Sequence, residues 1–387
     1  HDGVGEIDCS LIGAGKNNEV SILKKGNRYP DSIGLLYSAI THYLGWKHHS
    51  DEGIVMGLAP YGDSKTMIES SNKTYEQVFK EIIYETDDYH FEIDKSWIEY
   101  HLVRDKWISD KFIQTFGPKR EPEGSVELHH KHVAAALQDR IEEIILNQLK
   151  KAREEFGFKK LCLSGGVFLN CSLNGKIQES KIFDEIFVQP ASSDDGAAIG
   201  ACFLSHKNLK QELKTQRFDD FYLGSSYSNS DIEKSLKAHD VEWKKLDNVF
   251  NYTAKKLNEK KIIGWFQGGA EFGPRALGNR SILTSPFPKD MKDFLNTRVK
   301  FREEFRPFAP AILNEYTKEY FEIDQESPHM LINARVLDAK INEIPAAIHV
   351  DNTARIQTVK PENNTRFRKL LEEFHKETGC PVLLNTS

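Results

Sequence analysis

Two short apolar strands follow one another between Lys160 and Ala201, each ending in a turn of small residues and leading into helical spacing. The first, Lys160-Leu161-Cys162-Leu163, runs into Ser164-Gly165-Gly166, and Val167–Leu173 opens a helix behind that turn. The second, Ile186-Phe187-Val188, runs through Gln189–Asp195 into the small-residue helix Gly196–Ala201. Ahead of both, Val133, Leu137, Ile141, Ile145, Leu149, Ala152 and Phe156 recur at helical spacing, and Gly157 is the expected stop. Strands alternating with helices predict an α/β fold with parallel strands. A second α/β pattern starts at Lys261-Ile262-Ile263 and lasts to the end. The polar stretch Ser205–Asp220 is expected to separate them, giving domains 1–217 and 218–387. Residues from about Glu76 to Glu121, aromatic and charged with weak periodicity, read as peripheral helices.

Composition narrows the function. No apolar run approaches the ~18 residues of a membrane helix, so an integral membrane protein is excluded. With 52 basic and 58 acidic residues the net charge is −6. That balance argues against bulk nucleic acid or an anionic membrane as partner. Five scattered cysteines without CxxC spacing point to neither a disulfide framework nor a thiolate zinc site, and predict a cytoplasmic location. The chain opens on His1 rather than Met and closes on the apolar run Pro381–Ser387, and is expected to be a fragment.

Four features carry candidate chemistry. Gly165 and Gly166, between strand and helix, serve either tight packing or close approach to an anion, with Asn170 projecting from the first turn behind them. Asp194 and Asp195 end a strand where α/β sheets place ligands, as a metal-binding carboxylate or a helix cap. His129, His130 and His132 at the start of the long helix suit surface or cap roles better than ligation, and the same holds for His48 and His49. Arg275 and Arg280 around a rigid turn, then Arg298, Lys300, Arg302, Arg306 and Arg355, lie beside Gly, Pro and small residues in an acidic protein. They form an anion pocket, because the planar guanidinium fork fits phosphate, or they pair with neighbours such as Glu303 and Glu304.

These segments together resemble the O-carbamoyltransferase family of the NodU/CmcH/TobZ type. The matching runs are Asp2–Glu6, MGLAPYG at Met56–Gly62, SGGVFLNC at Ser164–Cys171 and QPASSDDGAAIG at Gln189–Gly200. They continue through EFGPRALGNRS at Glu271–Ser281, VKFREEFRPFAP at Val299–Pro310, HVDNTARIQTV at His349–Val359 and the closing PVLLNTS. The resemblance implies an actin/Hsp70-like domain of the TsaD type followed by a YrdC-like twisted α/β domain. It also implies an enzyme that makes carbamoyl-adenylate from carbamoyl phosphate and ATP. The carbamoyl group then passes to a hydroxyl of a small molecule, such as an antibiotic, another natural product or a Nod-factor-like sugar. By the same resemblance, Arg275, Lys300, Arg306 and Arg355 are the catalytic cations and, with Asn385 and Ser387, bind carbamoyl phosphate and ATP. Gly165, Gly166 and Asn170 cradle nucleotide in the first domain. Asp2 and Asp194 are ligands of a divalent ion, iron, while magnesium accompanies ATP.

The chain departs from the family pattern at several points. A metal-binding HHxxH segment belongs upstream of Asp2, Gly269 stands where Arg is common, and Asn352 replaces the Gly of HVDGTAR. The Gly269 change is expected to alter substrate or nucleotide contacts, and Asn352 to be tolerated, since Asn adopts turn conformations. Two rival functions are a tRNA threonylcarbamoylation enzyme, disfavoured by the acidic charge, and an ATP-dependent actin-like scaffold, which leaves the second domain's cations without a purpose.

Overall fold

A computed structural model describes residues 1–17, 19–86, 89–210 and 220–387, and the chain divides into two compact units, His1–Thr215 and Gln216–Ser387. Both are α/β.

The first unit is built on the helix Leu128–Phe156. Its start is locked by a capping box: His130 Nδ1 accepts the Glu127 N–H at 3.0 Å, and the Glu127 carboxylate takes the His130 N–H in return. Its end is Gly157 in the left-handed conformation, φ 71°. Val133, Leu137, Ile141 and Ile145 are fully buried. Each side chain so buried contributes roughly 1.5–3 kcal/mol. His130 and His132 are also buried rather than on the surface, and His132 Nδ1 accepts the Asp63 N–H at 2.9 Å. These histidines fasten the helix start.

The stretch from Glu76 to Glu121 is not peripheral. Its helices are Asp110–Phe116 and most of Tyr75–Ile82, beside an antiparallel pair, Ile83–Glu85 with Phe91–Ile93. Tyr75, Phe79, Phe91, Trp97, Phe112 and Phe116 are all buried, and the Phe112 and Phe116 rings stand 4.5 Å apart. Ring-on-ring packing overrides the weak local periodicity.

Lys160–Leu163 and Glu185–Val188 pair in parallel, Leu163 opposite Val188. The crossover holds a tight 3₁₀ turn, Gly166–Leu169, and the helix Cys171–Glu179. The helix after the second strand, Asp195–Lys210, extends through Ser205–Lys210, a segment expected to belong to the boundary. Residues 211–219 of that boundary lie outside the described residues.

The second unit is a mixed five-stranded sheet. Its strands are β1 (Ile263–Phe266), β2 (Arg280–Thr284), β3 (Ala309–Leu313), β4 (Gln357–Val359) and β5 (Val382–Thr386), in the order β4-β3-β5-β2-β1. Only β3 and β4 pair in parallel; β5 is antiparallel to both of its neighbours. All of β3 is buried. The helix Thr365–Thr378 covers the sheet with Phe367, Leu370, Leu371 and Phe374, an apolar stripe at helical spacing. No described helix is long and apolar enough to cross a membrane, and all five cysteines are free thiols.

Candidate functional site

In the first unit three loops converge at Gly165. Its N–H donates to the Ser192 carbonyl at 2.8 Å, and the Ser192 hydroxyl returns a bond to the Gly165 carbonyl at 2.9 Å. The third loop is His1–Gly3. A Cβ on Gly165, which has φ 100°, would lie 1.9 Å from the His1 carbonyl oxygen, so only glycine allows this approach. A Cβ on Gly166 would sit 3.1 Å from Asp2 Oδ1 and 4.0 Å from the Ser193 Cβ, which places the Asp2 carboxylate and the Ser193–Asp194 loop around one turn. Asp2 is held by its surroundings: Oδ1 accepts the Gly3 N–H at 2.8 Å, and its carbonyl takes the hydroxyl of Ser32, the N-cap of helix Ile33–Tyr43.

The Asp194 carboxylate is exposed and hydrogen-bonds to no described residue; its backbone carbonyl, not its side chain, takes the Ala197 N–H at the helix start. Asn170 does not project from the first turn. It is the N-cap of Cys171–Glu179, accepting the Leu173 N–H at 3.0 Å, and its amide exchanges bonds with Gln138 on the long helix. The carboxylate beside Gly166 disfavours a bare phosphate and favours one escorted by a cation. Among the described residues no three His, Cys, Asp or Glu side chains converge as a metal requires. Asp2 and Asp194 therefore do not make a divalent-ion site by themselves.

In the second unit the strand order gathers the cations. Arg275 precedes β2, Arg306 precedes β3, Arg355 precedes β4, and Asn385 and Ser387 lie at the end of β5. The pairings Leu283 with Asn385, Ala309 with Asn385 and Ala311 with Gln357 put the starts of β2, β3 and β4 and the end of β5, and so the segments carrying these five residues, at one end of the sheet. Lys300 reaches the same place, donating from Nζ to the Ser387 carbonyl.

Two of these cations are shifted by burial and by their neighbours. Burial, then Arg302 and Arg306, push the Lys300 ammonium below its usual range. Burial, then Arg306 and Arg355, push the Arg302 guanidinium down to about 10. Arg306 Nη1 also lies 3.6 Å from Glu303, so the pairing expected from sequence coexists with the cluster. Cations packed closely enough to lower one another's proton affinity are stabilised by a polyanion.

Arg302 is a fifth member. Its Nε donates to Asn296 Oδ1 at 2.7 Å and its guanidinium lies 4.6 Å over the Phe308 ring. Asn385 is wholly buried, and its Nδ2 donates to the Ala276 carbonyl at 3.2 Å and to Gln357 Oε1 at 2.8 Å. It braces the turn next to Arg275, while Oδ1 has no partner among the described residues. A Cβ on Gly269 would lie 2.3 Å from the Tyr222 carbonyl oxygen, so the chain itself fills the space where the family's Arg would start. Asn352 takes φ 61°, the turn conformation Asn tolerates.

Glu271 and Gln357 were not legible as site residues. Glu271 stands inside the EFGPRALGNRS run and Gln357 inside HVDNTARIQTV, but nothing in either spacing says that these side chains bind the turn before β2.

The chain matches the family described as "Carbamoyltransferase N-terminus" over residues 1–203 and "Carbamoyltransferase C-terminus" over residues 254–387. It is 38% identical to Nodulation protein NolNO of Sinorhizobium fredii, over 100% of this chain and 55% of the relative. It is 36% identical to Nodulation protein NolO of Bradyrhizobium diazoefficiens, over 100% of this chain and 68% of that protein. With 3'-hydroxymethylcephem-O-carbamoyltransferase of Streptomyces clavuligerus the identity is 30%, over 94% of this chain and 63% of the enzyme. The chain thus spans between about half and two thirds of the length of these relatives.

Proposed function

The chain belongs to the carbamoyltransferase family, and from that premise we propose that it is part of an ATP-dependent O-carbamoyltransferase acting on a hydroxyl of a small molecule. The observation that carries this reading is the gathering of Lys300, Arg302, Arg306 and Arg355 at one sheet end, where burial and the neighbouring cations lower Lys300 and Arg302. Such a site suits two phosphorylated substrates at once. In the first half-reaction, water cleaves carbamoyl phosphate to carbamate and inorganic phosphate, and a carbamate oxygen then attacks the α-phosphorus of ATP to give carbamoyl-adenylate. The bond to the bridging oxygen breaks, and pyrophosphate leaves. Arg275, Lys300, Arg306 and Arg355 hold the phosphates and offset the charge that builds on them. In the second, the acceptor hydroxyl attacks the carbamoyl carbon, loses its proton and displaces AMP.

The first unit is assigned as the actin/Hsp70-like transfer domain, supported by its parallel strand pair and the glycine turn beside Asp2. The second is assigned as the YrdC-like, adenylate-forming domain, supported by its mixed sheet with a cationic end. The nucleotide is taken to arrive as its magnesium complex. The iron implied by the resemblance needs ligands beyond Asp2 and Asp194, and no step is routed through it. A cytoplasmic location agrees with five free thiols.

The test is carbamoyl-phosphate-dependent release of pyrophosphate from ATP. Arg275→Ala and Arg355→Ala should each abolish it with the fold intact, since each loses a charge-assisted phosphate contact of roughly 1.5–3 kcal/mol in the ground state, and more in the transition state. Near-normal release by both variants overturns the assignment.

A further inference from the structure

We infer that Glu271 is a positioning residue for the cationic site, its carboxylate setting the turn that presents Arg275. The inference rests on the anion-binding reading above and adds a residue to it.

A carboxylate four residues from Arg275 works against phosphate binding unless it is turned to another task. That is what its contacts show. Glu271 Oε1 accepts the N–H groups of Leu277 at 2.8 Å, Asn279 at 2.8 Å and Arg280 at 3.1 Å. It forms no ion pair with a described Lys or Arg, although Arg275 and Arg280 stand in the same loop. One oxygen thus gathers three backbone donors into a nest, and the negative charge is spent on the main chain.

The other side of the turn is held as well. The Ala276 carbonyl accepts Asn385 Nδ2, and the Leu277 carbonyl accepts Tyr222 Oη at 3.1 Å and Gln357 Nε2 at 2.9 Å. With donors clamped by Glu271 and carbonyls clamped from the sheet, residues 276–280 have one conformation available. Arg275, directly before them, is aimed by it. Removing Glu271 frees three N–H groups beside the sheet end and lets the turn relax, which moves Arg275 without removing its charge.

The experiment is a double-mutant cycle read by calorimetric titration of carbamoyl phosphate, with thermal unfolding as the check on folding. Glu271→Ala should weaken binding by about tenfold or more, as expected for loss of charge-assisted bonds that fix a ligand-binding side chain. Glu271→Gln, which keeps an acceptor oxygen but not the charge, should recover most of the loss. In an Arg275→Ala background, Glu271→Ala should cost nothing further. Unchanged binding by Glu271→Ala overturns the inference, and so does an equal loss with and without Arg275. If Glu271→Ala does not fold, Glu271→Asp, which keeps the charge but draws the acceptor oxygen back by one methylene from the three N–H groups, carries the same cycle: a loss seen only with Arg275 present supports positioning, and an equal loss in both backgrounds or no loss at all overturns it. Normal binding by Arg275→Ala alone instead overturns the anion site, and Glu271's role with it.

Discussion

The turn at Gly165 and the turn behind Arg275 both contain glycine, yet they are held in opposite ways. The Gly165 turn depends on absent atoms, with a positive φ and a main chain pressed against the His1 carbonyl, and its side-chain support is one hydroxyl, from Ser192, beside a backbone bond to the same residue. The turn behind Arg275 depends on present ones. Glu271, Tyr222, Gln357 and Asn385 hold its backbone, and Gln267, Asn279 and Asn364 interlock beside it with bonds of 2.8–2.9 Å. The first should fail by steric intrusion and the second by loss of a partner.

One pair of variants breaks the comparison most directly. Gly165→Ala brings a methyl group to within 1.9 Å of a backbone oxygen, at a φ that L residues rarely adopt. It should destabilise the first unit by about 3 kcal/mol or more. Asn364→Ala removes a buried amide and leaves Asn279 and Gln267 short of a partner, which should cost roughly 1–3 kcal/mol. Denaturant titration measures both. Equal and small losses would show that the two turns are not held differently.

The unequal visibility of these turns in the sequence has a physical cause. Contacts within a few residues leave a pattern. The apolar period from Val133 and its stop at Gly157 marked the long helix, and two short strands with intervening small residues marked the parallel pair. Contacts between distant segments leave none. The Phe112–Phe116 cluster closes on Tyr43 and Tyr75 from other segments, so its stretch looked peripheral. Likewise the arginines were visible one at a time, but the order β4-β3-β5-β2-β1 that brings their loops to one sheet end was not. Asn170 and Asn385 were expected to face ligand because of their motifs; the Asn170 amide is engaged with Gln138, whereas Asn385 engages only its Nδ2, with Ala276 and Gln357.

A second contrast lies in the response to acid. Burial holds the His130 imidazole neutral, lowering it from 6.5 to about 4, where its Nδ1 must stay unprotonated to accept the Glu127 N–H. The unfolded chain takes up that proton near pH 6.5 and the folded one only near 4. The contribution is therefore complete above pH 6.5 and lost as pH falls to about 4. In the second unit, hydrogen bonds from Arg368 and Lys340 lower Glu315 and Glu343 below the usual 4.5, so their contribution is lost only below that value. Acid should loosen the first unit before the second, by on the order of 1–2 kcal/mol at pH 5. Unfolding followed by proteolysis at graded pH checks the order. His130→Gln should flatten the first limb, and a limb unchanged in that variant would remove His130 as its source.

The smallest effect tests what holds the first site's open edge. A carboxylate that caps a helix contributes about 0.5–2 kcal/mol, and its removal is read directly in stability. The Asp194 side chain has no partner among the described residues and is exposed, whereas Ser32 and Asn170 in the same unit make measurable caps at 3.1 and 3.0 Å. Asp194→Ala should therefore change the unfolding free energy by no more than about 0.5 kcal/mol, while Ser32→Ala costs about 1 kcal/mol. The same two proteins, titrated with ferrous or manganous ion, should show no stoichiometric site in this 387-residue chain, because two carboxylates without further ligands leave a divalent ion mostly hydrated. A loss of 1 kcal/mol or more in Asp194→Ala returns this residue to capping. Tight metal binding that disappears with Asp194 would mean that the described residues already hold a complete ligand set.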